Sequence, residues 1–177
     1  MNAMRPTVPL LLLAAAVGAM IAGCEAGSGT ANDFRLETLN HGRFYLNRHR
    51  GRPVVLVFWT TWCITCKQEL TYLNDLRREF AEDELTLASV CVDPENIDLA
   101  RRITEDLALG YPVLLDEMMK DGSTRVAGTF GVRSFPTTVI LDAGGKIAWS
   151  CEGFGPTDKS AIGRQIDRLL AAKATRP

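Results

Sequence analysis

Two cysteines three residues apart, Cys63 and Cys66 in Trp62-Cys63-Ile64-Thr65-Cys66, carry the clearest chemistry in this sequence. Before them, Val54 to Trp59 is a run of β-formers; after them, Leu70, Leu73, Leu76 and Phe80 recur three or four apart, as on one face of a helix. If that helix begins at Cys63, the two thiols stand one turn apart on the same face and can close a small disulfide. Unsatisfied N–H groups and the positive end of the helix dipole then favour a thiolate at the first sulfur. A low-pKa thiol beside a resolving partner is what dithiol–disulfide exchange requires, with Cys63 attacking and Cys66, one turn further in, resolving. Half of a zinc site is the competing reading, and it wants a second Cys/His pair at comparable spacing. The histidines are His41 and His49, both upstream, and Cys91 and Cys151 stand alone. The pattern favours redox chemistry with no metal and no other cofactor.

The elements that must hold this pair are legible in order. At 177 residues the chain is one domain plus a short extension. Its net charge of −1, with both signs mixed along the sequence, points to no nucleic-acid partner. Asp33–Leu36 and Phe44–Leu46 alternate about Asn40-His41-Gly42 and predict a β-hairpin, with His41 a turn residue. Val54–Trp59 and Leu85–Val92 read as buried strands flanking a helix over Cys63–Ala81. Asn96 caps an expected helix to about Leu109, followed by a short extended piece at Val113–Leu115 and a helix within Gly122–Phe130. Strands Thr138–Leu141 and Ile147–Ser150 turn about Ala143-Gly144-Gly145-Lys146, and Asp158–Leu170 closes as an amphipathic helix. This order predicts an α/β fold with a mixed central sheet, helices on both faces and an N-terminal β-hairpin.

Ahead of that domain, Leu10–Ala22 is uninterrupted apolar sequence after a single basic residue, Arg5. It is too short to cross a hydrocarbon core of ~30 Å as a helix. Its end, Ile21-Ala22-Gly23-Cys24, resembles the bacterial lipobox, which implies cleavage before Cys24 and diacylglyceryl attachment to its sulfur. A plain signal peptide with Cys24 incidental, and an uncleaved anchor, are the other readings. The expected layout is a lipoprotein signal peptide over 1–23, a flexible tether over 24–32 and the folded domain over 33–172. The domain would then lie where a disulfide persists.

Taken together, the hairpin, Gly51-Arg52-Pro53-Val54-Val55-Leu56-Val57-Phe58-Trp59, Trp62-Cys63-Ile64-Thr65-Cys66, Phe135-Pro136-Thr137-Thr138 and Gly144-Gly145-Lys146 resemble the thioredoxin-like TlpA/ResA family. The resemblance implies a three-layer thioredoxin-like fold and a membrane-tethered thiol-disulfide oxidoreductase of the bacterial envelope. The domain would face the periplasm or extracytoplasmic space as a monomer and reduce rather than oxidise its partners. It implies a cis peptide before Pro136, packed against the Cys63–Cys66 disulfide beside Trp62, with Phe135 backbone groups pairing to substrate. The implied partners are thiols and disulfides of exported proteins, apocytochrome c or copper-site proteins among them, and a membrane-bound electron donor.

The departures from that family bear on the chemistry. Ile64-Thr65 lacks the proline many relatives carry before the second cysteine, and Thr71 stands where relatives often have a helix-kinking proline. Val57 occupies the position of the buried acid of cytosolic thioredoxins, so the candidate proton acceptors for Cys66 become Asp93 and Glu95 in the loop after the neighbouring strand. A structural role for that loop, with Asp93 and Asn96 starting the next helix, is the alternative. Lys67 and Glu69 are expected to face solvent. Cys91 reads as a small buried apolar residue, and Cys151 as a free thiol or an intermolecular partner. In the thioredoxin-type sheet that the resemblance implies, their two strands would lie three spacings apart, roughly 14 Å, too far for a mutual disulfide. Two other functional classes remain: a peroxiredoxin-like peroxidase, for which Thr60 stands three before Cys63 but no upstream proline is present, and a copper-chaperone module, whose C-x-x-x-C and late histidine are missing.

Overall fold

The computed structural model describes residues 24–27 and 29–174, and the expected signal peptide over 1–23 lies outside them. Eight strands form one sheet: Glu25–Ala26 (β1), Arg35–Thr38 (β2), Arg43–Tyr45 (β3), Val54–Trp59 (β4), Thr86–Cys91 (β5), Val113–Leu115 (β6), Thr137–Leu141 (β7) and Ile147–Glu152 (β8). Their spatial order is β1-β8-β7-β4-β5-β6-β2-β3. β4, β5 and β6 run parallel, and the other pairings are antiparallel. The helices are Ile64–Leu76 (α1), Ile97–Asp106 (α2), Arg125–Thr129 (α3) and Pro156–Ala174 (α4).

β4 is central and all six of its residues are buried. Val55, Val57 and Trp59 pack against Leu70 and Leu73 of α1, Ala100 and Ile103 of α2, and Ile162 and Ile166 of α4. Val54, Leu56 and Phe58 face the other way, toward Val126 and Ala127 of α3 and the N-terminal Ala31 and Phe34. A strand covered on both faces has no polar side, which is why this one reads as continuous apolar sequence. The mixed sheet, the helices on both faces and the β2–β3 hairpin are as the sequence predicts. His41 takes the left-handed turn conformation at φ 58°.

α1 is unbroken through Thr71, whose hydroxyl donates to Lys67 O at 2.9 Å, and it ends at Leu76 in a 3-10 turn over Arg77–Glu79 rather than continuing to Ala81. Buried Asn74 fastens it to the α2–β6 connection: Nδ2 donates to Ala108 O at 3.2 Å, and Oδ1 accepts from Gly110 N–H at 2.7 Å.

Residues 24–32 differ from the expected free tether. Glu25 pairs with Ser150 and Ala26 with Trp149, Thr30 bridges to Lys146, and Ala31 N–H donates to Gly145 O at 3.0 Å. β8 would otherwise be a sheet edge with open backbone groups, and this segment satisfies them. Gly27 runs so close to Ile147 that a side chain there would clash. The pairing sets Cys24 opposite Cys151, and the two are joined in a disulfide with Cα atoms 4.0 Å apart. Cys151 is therefore neither a free thiol nor an intermolecular partner in this structure. The bond also occupies the sulfur expected to carry lipid, so one molecule holds either the thioether or this disulfide. Cys91 is free and buried, as expected.

Replacing Asn74 with Ala removes both ties and leaves the Gly110 N–H without its acceptor, at a cost of about 1–3 kcal/mol. Denaturant unfolding should show a lowered midpoint at unchanged slope; an unchanged midpoint would show that α1 is held without this link.

Candidate functional site

The chain leaves β4 at Trp59 and must reverse into α1 within a few residues. Cys63 N–H closes the turn on Thr60 O at 3.2 Å. The carboxylate of Asp93, just past the end of β5, holds the loop from the side. It accepts Thr61 N–H at 3.0 and 3.1 Å, the Thr61 hydroxyl at 2.5 Å, the Cys91 thiol at 3.3 Å and Asn96 Nδ2 at 3.3 Å. Because Trp59 and Cys91 are paired across β4 and β5, this short bridge fixes the loop relative to the sheet. Asn96 stands at the N-cap of α2 but makes no side-chain cap bond.

Cys63 is the N-cap of α1. Its φ of −82° and ψ of 111° are extended, and its Sγ accepts Cys66 N–H at 3.1 Å. A sulfur thus takes the place usually held by a Ser or Asp oxygen, at the helix end where orphan N–H groups and the dipole favour negative charge. The Thr65 hydroxyl lies 3.4 Å from the same sulfur. Cys63 and Cys66 are joined in a disulfide with Cα atoms 5.3 Å apart. Cys66 is wholly inaccessible and Cys63 5 % exposed, while flanking Trp62 and Ile64 are 70 % and 76 % exposed. The Phe135–Pro136 peptide is cis, and the Phe135 ring meets Trp62 edge-on with centroids 6.2 Å apart.

The residue that sequence reasoning misplaced is Glu69. It is wholly buried, three positions after Cys66 and on the same face of α1. Its Oε1 accepts the Thr138 hydroxyl from β7, while Oε2 has no hydrogen-bond partner. Burial pushes its pKa up to about 8; the Thr138 hydrogen bond opposes that shift and nearby Asp158 adds to it. Cys66, Glu69, Leu70 and Leu73 stand at i, i+3, i+4 and i+7, so the periodicity that marked the helix also put Glu69 on its inner stripe. Of the expected proton acceptors, Asp93 is buried and committed to the loop, and Glu95 is exposed beside Asn96. Among the described residues, Cys24, Cys151 and Asp158 come together as potential metal ligands, but with both sulfurs oxidised they offer no thiolate.

Glu69 gives a pH dependence with a definite sign. The unfolded chain releases this proton near 4.5 and the folded one near 8, so between those values unfolding releases a proton and rising pH weakens the fold. The Glu69→Gln variant should lose this part of the slope and gain stability relative to the parent, by up to several kcal/mol, as pH rises from about 4.5 to 8. Denaturant titrations of the two proteins across that range test this. Parallel curves would mean that Glu69 is charged in the folded state.

Comparison with known proteins supplies the class. The AhpC/TSA family profile matches residues 28–150. The chain is 32 % identical over 148 residues to the thiol-disulfide oxidoreductase ResA of Geobacillus thermodenitrificans, covering 80 % of this chain and 82 % of that one. To the thioredoxin-like protein YneN of Bacillus subtilis it is 34 % identical over 118 residues, 66 % of each chain. A crystal structure from Chlorobium tepidum, assigned as the thiol:disulfide interchange protein DsbE, superposes with a TM-score of 0.72 at 27 % identity, covering 82 % of this chain and 98 % of that one. With a helix-capping C-x-x-C disulfide and a cis-proline on this fold, the chain belongs to the AhpC/TSA family and is a thioredoxin-like thiol-disulfide oxidoreductase.

Proposed function

We propose that this enzyme reduces disulfides of exported proteins outside the cytoplasm, with Cys63 as the attacking sulfur and Cys66 as the resolving one. The observation that carries the assignment is the Cys63 sulfur at the α1 N-cap, where it accepts the Cys66 N–H. In the reduced enzyme the Cys63 thiolate attacks one sulfur of a client disulfide; that bond breaks, a mixed disulfide forms, and the first client thiolate leaves. Cys66 gives up its proton and attacks the Cys63 sulfur, releasing the second client thiolate and leaving the Cys63–Cys66 disulfide. Two electrons pass from the enzyme dithiol to the client, and a membrane-bound dithiol donor restores them. Glu69, with a pKa of about 8 close to that of a thiol, exchanges the Cys66 proton at little cost in either direction. Asp93 holds the loop in register, and the Phe135 backbone beside cis-Pro136 receives the client strand. Apocytochrome c and copper-site proteins are the client classes the family resemblance supports.

Residues 1–23 then act as a lipoprotein signal peptide, residues 33–172 as the monomeric catalytic domain, and Cys24 as the lipid anchor holding it at the extracytoplasmic side of the membrane. Among the described residues no helix is long and apolar enough to cross a membrane. A lipidated chain keeps Cys151 as a thiol; a chain that escapes lipidation closes the bond to Cys24.

Cys66→Ser should accumulate mixed disulfides through Cys63 on a non-reducing gel, and Cys63→Ser should trap nothing; the opposite pattern would reverse the two roles. Thr65→Val removes the hydroxyl beside the Cys63 sulfur, and should slow insulin reduction at pH 7 by several-fold and move its pH profile to higher pH. An unmoved pH profile would show that Thr65 does not serve the thiolate. Thr60, three before Cys63 with a buried and unpartnered hydroxyl, favours peroxide reduction as a second reading. Peroxide consumption that outpaces insulin reduction in the same preparation would establish it.

A further inference from the structure

We infer that the lipid on Cys24 holds the redox end of the domain against the bilayer, so that the disulfides this enzyme reaches are those presented at the membrane surface. This rests on Cys24 being the anchor, as proposed above, and adds a direction that anchoring alone does not supply. The sheet register provides it. β7 pairs Thr137 with Phe58 and Thr138 with Val57 of β4. β8 pairs Glu152 with Thr137 and Cys151 with Thr138. β1 pairs Glu25 with Ser150, which brings Cys24 opposite Cys151. Cys24, Cys151, Thr138 and Val57 therefore lie on one level across the sheet, two residues short of Trp59, where the chain turns into the disulfide. From Cys24 the segment runs the other way, through Gly27 at Ala148 and Thr30 at Lys146 to Ala31 at Gly145.

Magnitudes decide what this does. Nine free residues over 24–32 could extend to about 30 Å and let the domain turn any side to the membrane. Laid along β8, they leave no slack. The anchor then sits three strand spacings, roughly 14 Å, to the side of β4 and about 7 Å short of its redox end at Trp59. The opposite end of β4, Val54, is three residues or about 10 Å from the anchor's level, and the Gly144–Gly145 turn at that end lies six residues, roughly 20 Å, from Cys151 along β8, with Asp83 ahead of β5 on the same side.

A second observation points the same way. The exposed large hydrophobics among the described residues are Trp62, Ile64, Leu99, Met118 and Met119. Trp62 and Ile64 follow β4, Leu99 is in the first turn of α2 after β5, and Met118 and Met119 are in the loop after β6. All five thus lie beyond the carboxyl ends of the three parallel strands, at the end bearing Cys63. A rim of Trp, Ile, Leu and Met suits the headgroup zone of a bilayer, where amphipathic aromatic rings settle.

The full chain, purified from bacterial membranes, is first weighed to establish whether Cys24 carries diacylglycerol. It is then reconstituted into phosphatidylcholine vesicles containing headgroup-nitroxide lipid, and tryptophan quenching is compared between the parent, Trp62→Phe, and Trp62→Phe with Asp83→Trp as the distal reporter. Trp62 should be quenched several-fold more strongly than the reporter at position 83, and a long Gly/Ser insertion directly after Cys24 should abolish the difference. A lipidated protein whose two reporters quench alike, or whose distal one quenches more, overturns the orientation and leaves the anchor standing. A mass without lipid and with Cys24 bonded to Cys151 overturns the anchor, and the orientation with it.

Discussion

One hydrogen bond, from Cys66 N–H to the sulfur of Cys63, ties the chemistry of this enzyme to its backbone. A helix begins with donors that have no partner within it, and here the sulfur of Cys63 is the acceptor that meets one of them. The arrangement depends on α1 starting at one residue and no other. β4 delivers the chain to that point; the Asp93 carboxylate pins Thr61 to the adjoining strand, and the inner stripe of α1 packs on Val55, Val57 and Trp59. Slipping the helix start by a residue would aim the same sulfur away from the orphan N–H groups and break this hydrogen bond.

Glu69 shows what the core tolerates. A carboxyl with one oxygen unpartnered in the core is a standing loss of stability, and the fold limits that loss by keeping the group neutral near pH 7. Cytosolic thioredoxins set their acid on the strand, where this chain has Val57. Here the acid is on the helix instead, and Thr138 of β7 steadies it. The core keeps an ionisable group three residues beyond the inner cysteine on α1 while β4 becomes wholly apolar.

Much of this was readable before any coordinates, and the reasons differ by residue. Val54–Trp59 and the leucines of α1 announce themselves through periodicity, because burial on both faces or on one stripe leaves a compositional mark. The Cys63–Cys66 pair and Pro136 were legible as a local motif. Glu69 was hidden by its type: a glutamate on a helix is ordinarily solvated, and only its spacing from Cys66 and Leu70 gave it away. Asp93 was seen, but sequence could not tell proton transfer from loop bracing, since that depends on which donors surround the carboxylate. The segment 24–32 reads as a linker by composition, and its docking follows from the open edge of β8, a feature of the assembled sheet that no local window contains.

That docking also changes how the molecule behaves in company. Without β1, β8 would offer six residues of unpaired ladder to any passing chain, the usual seed of strand-to-strand aggregation. With it, the sheet closes at one end on two residues and at the other on the three of β3, too little edge for a foreign strand to register against. A thiol-disulfide oxidoreductase built this way can meet a protein thiol without offering its own sheet edge as a strand partner.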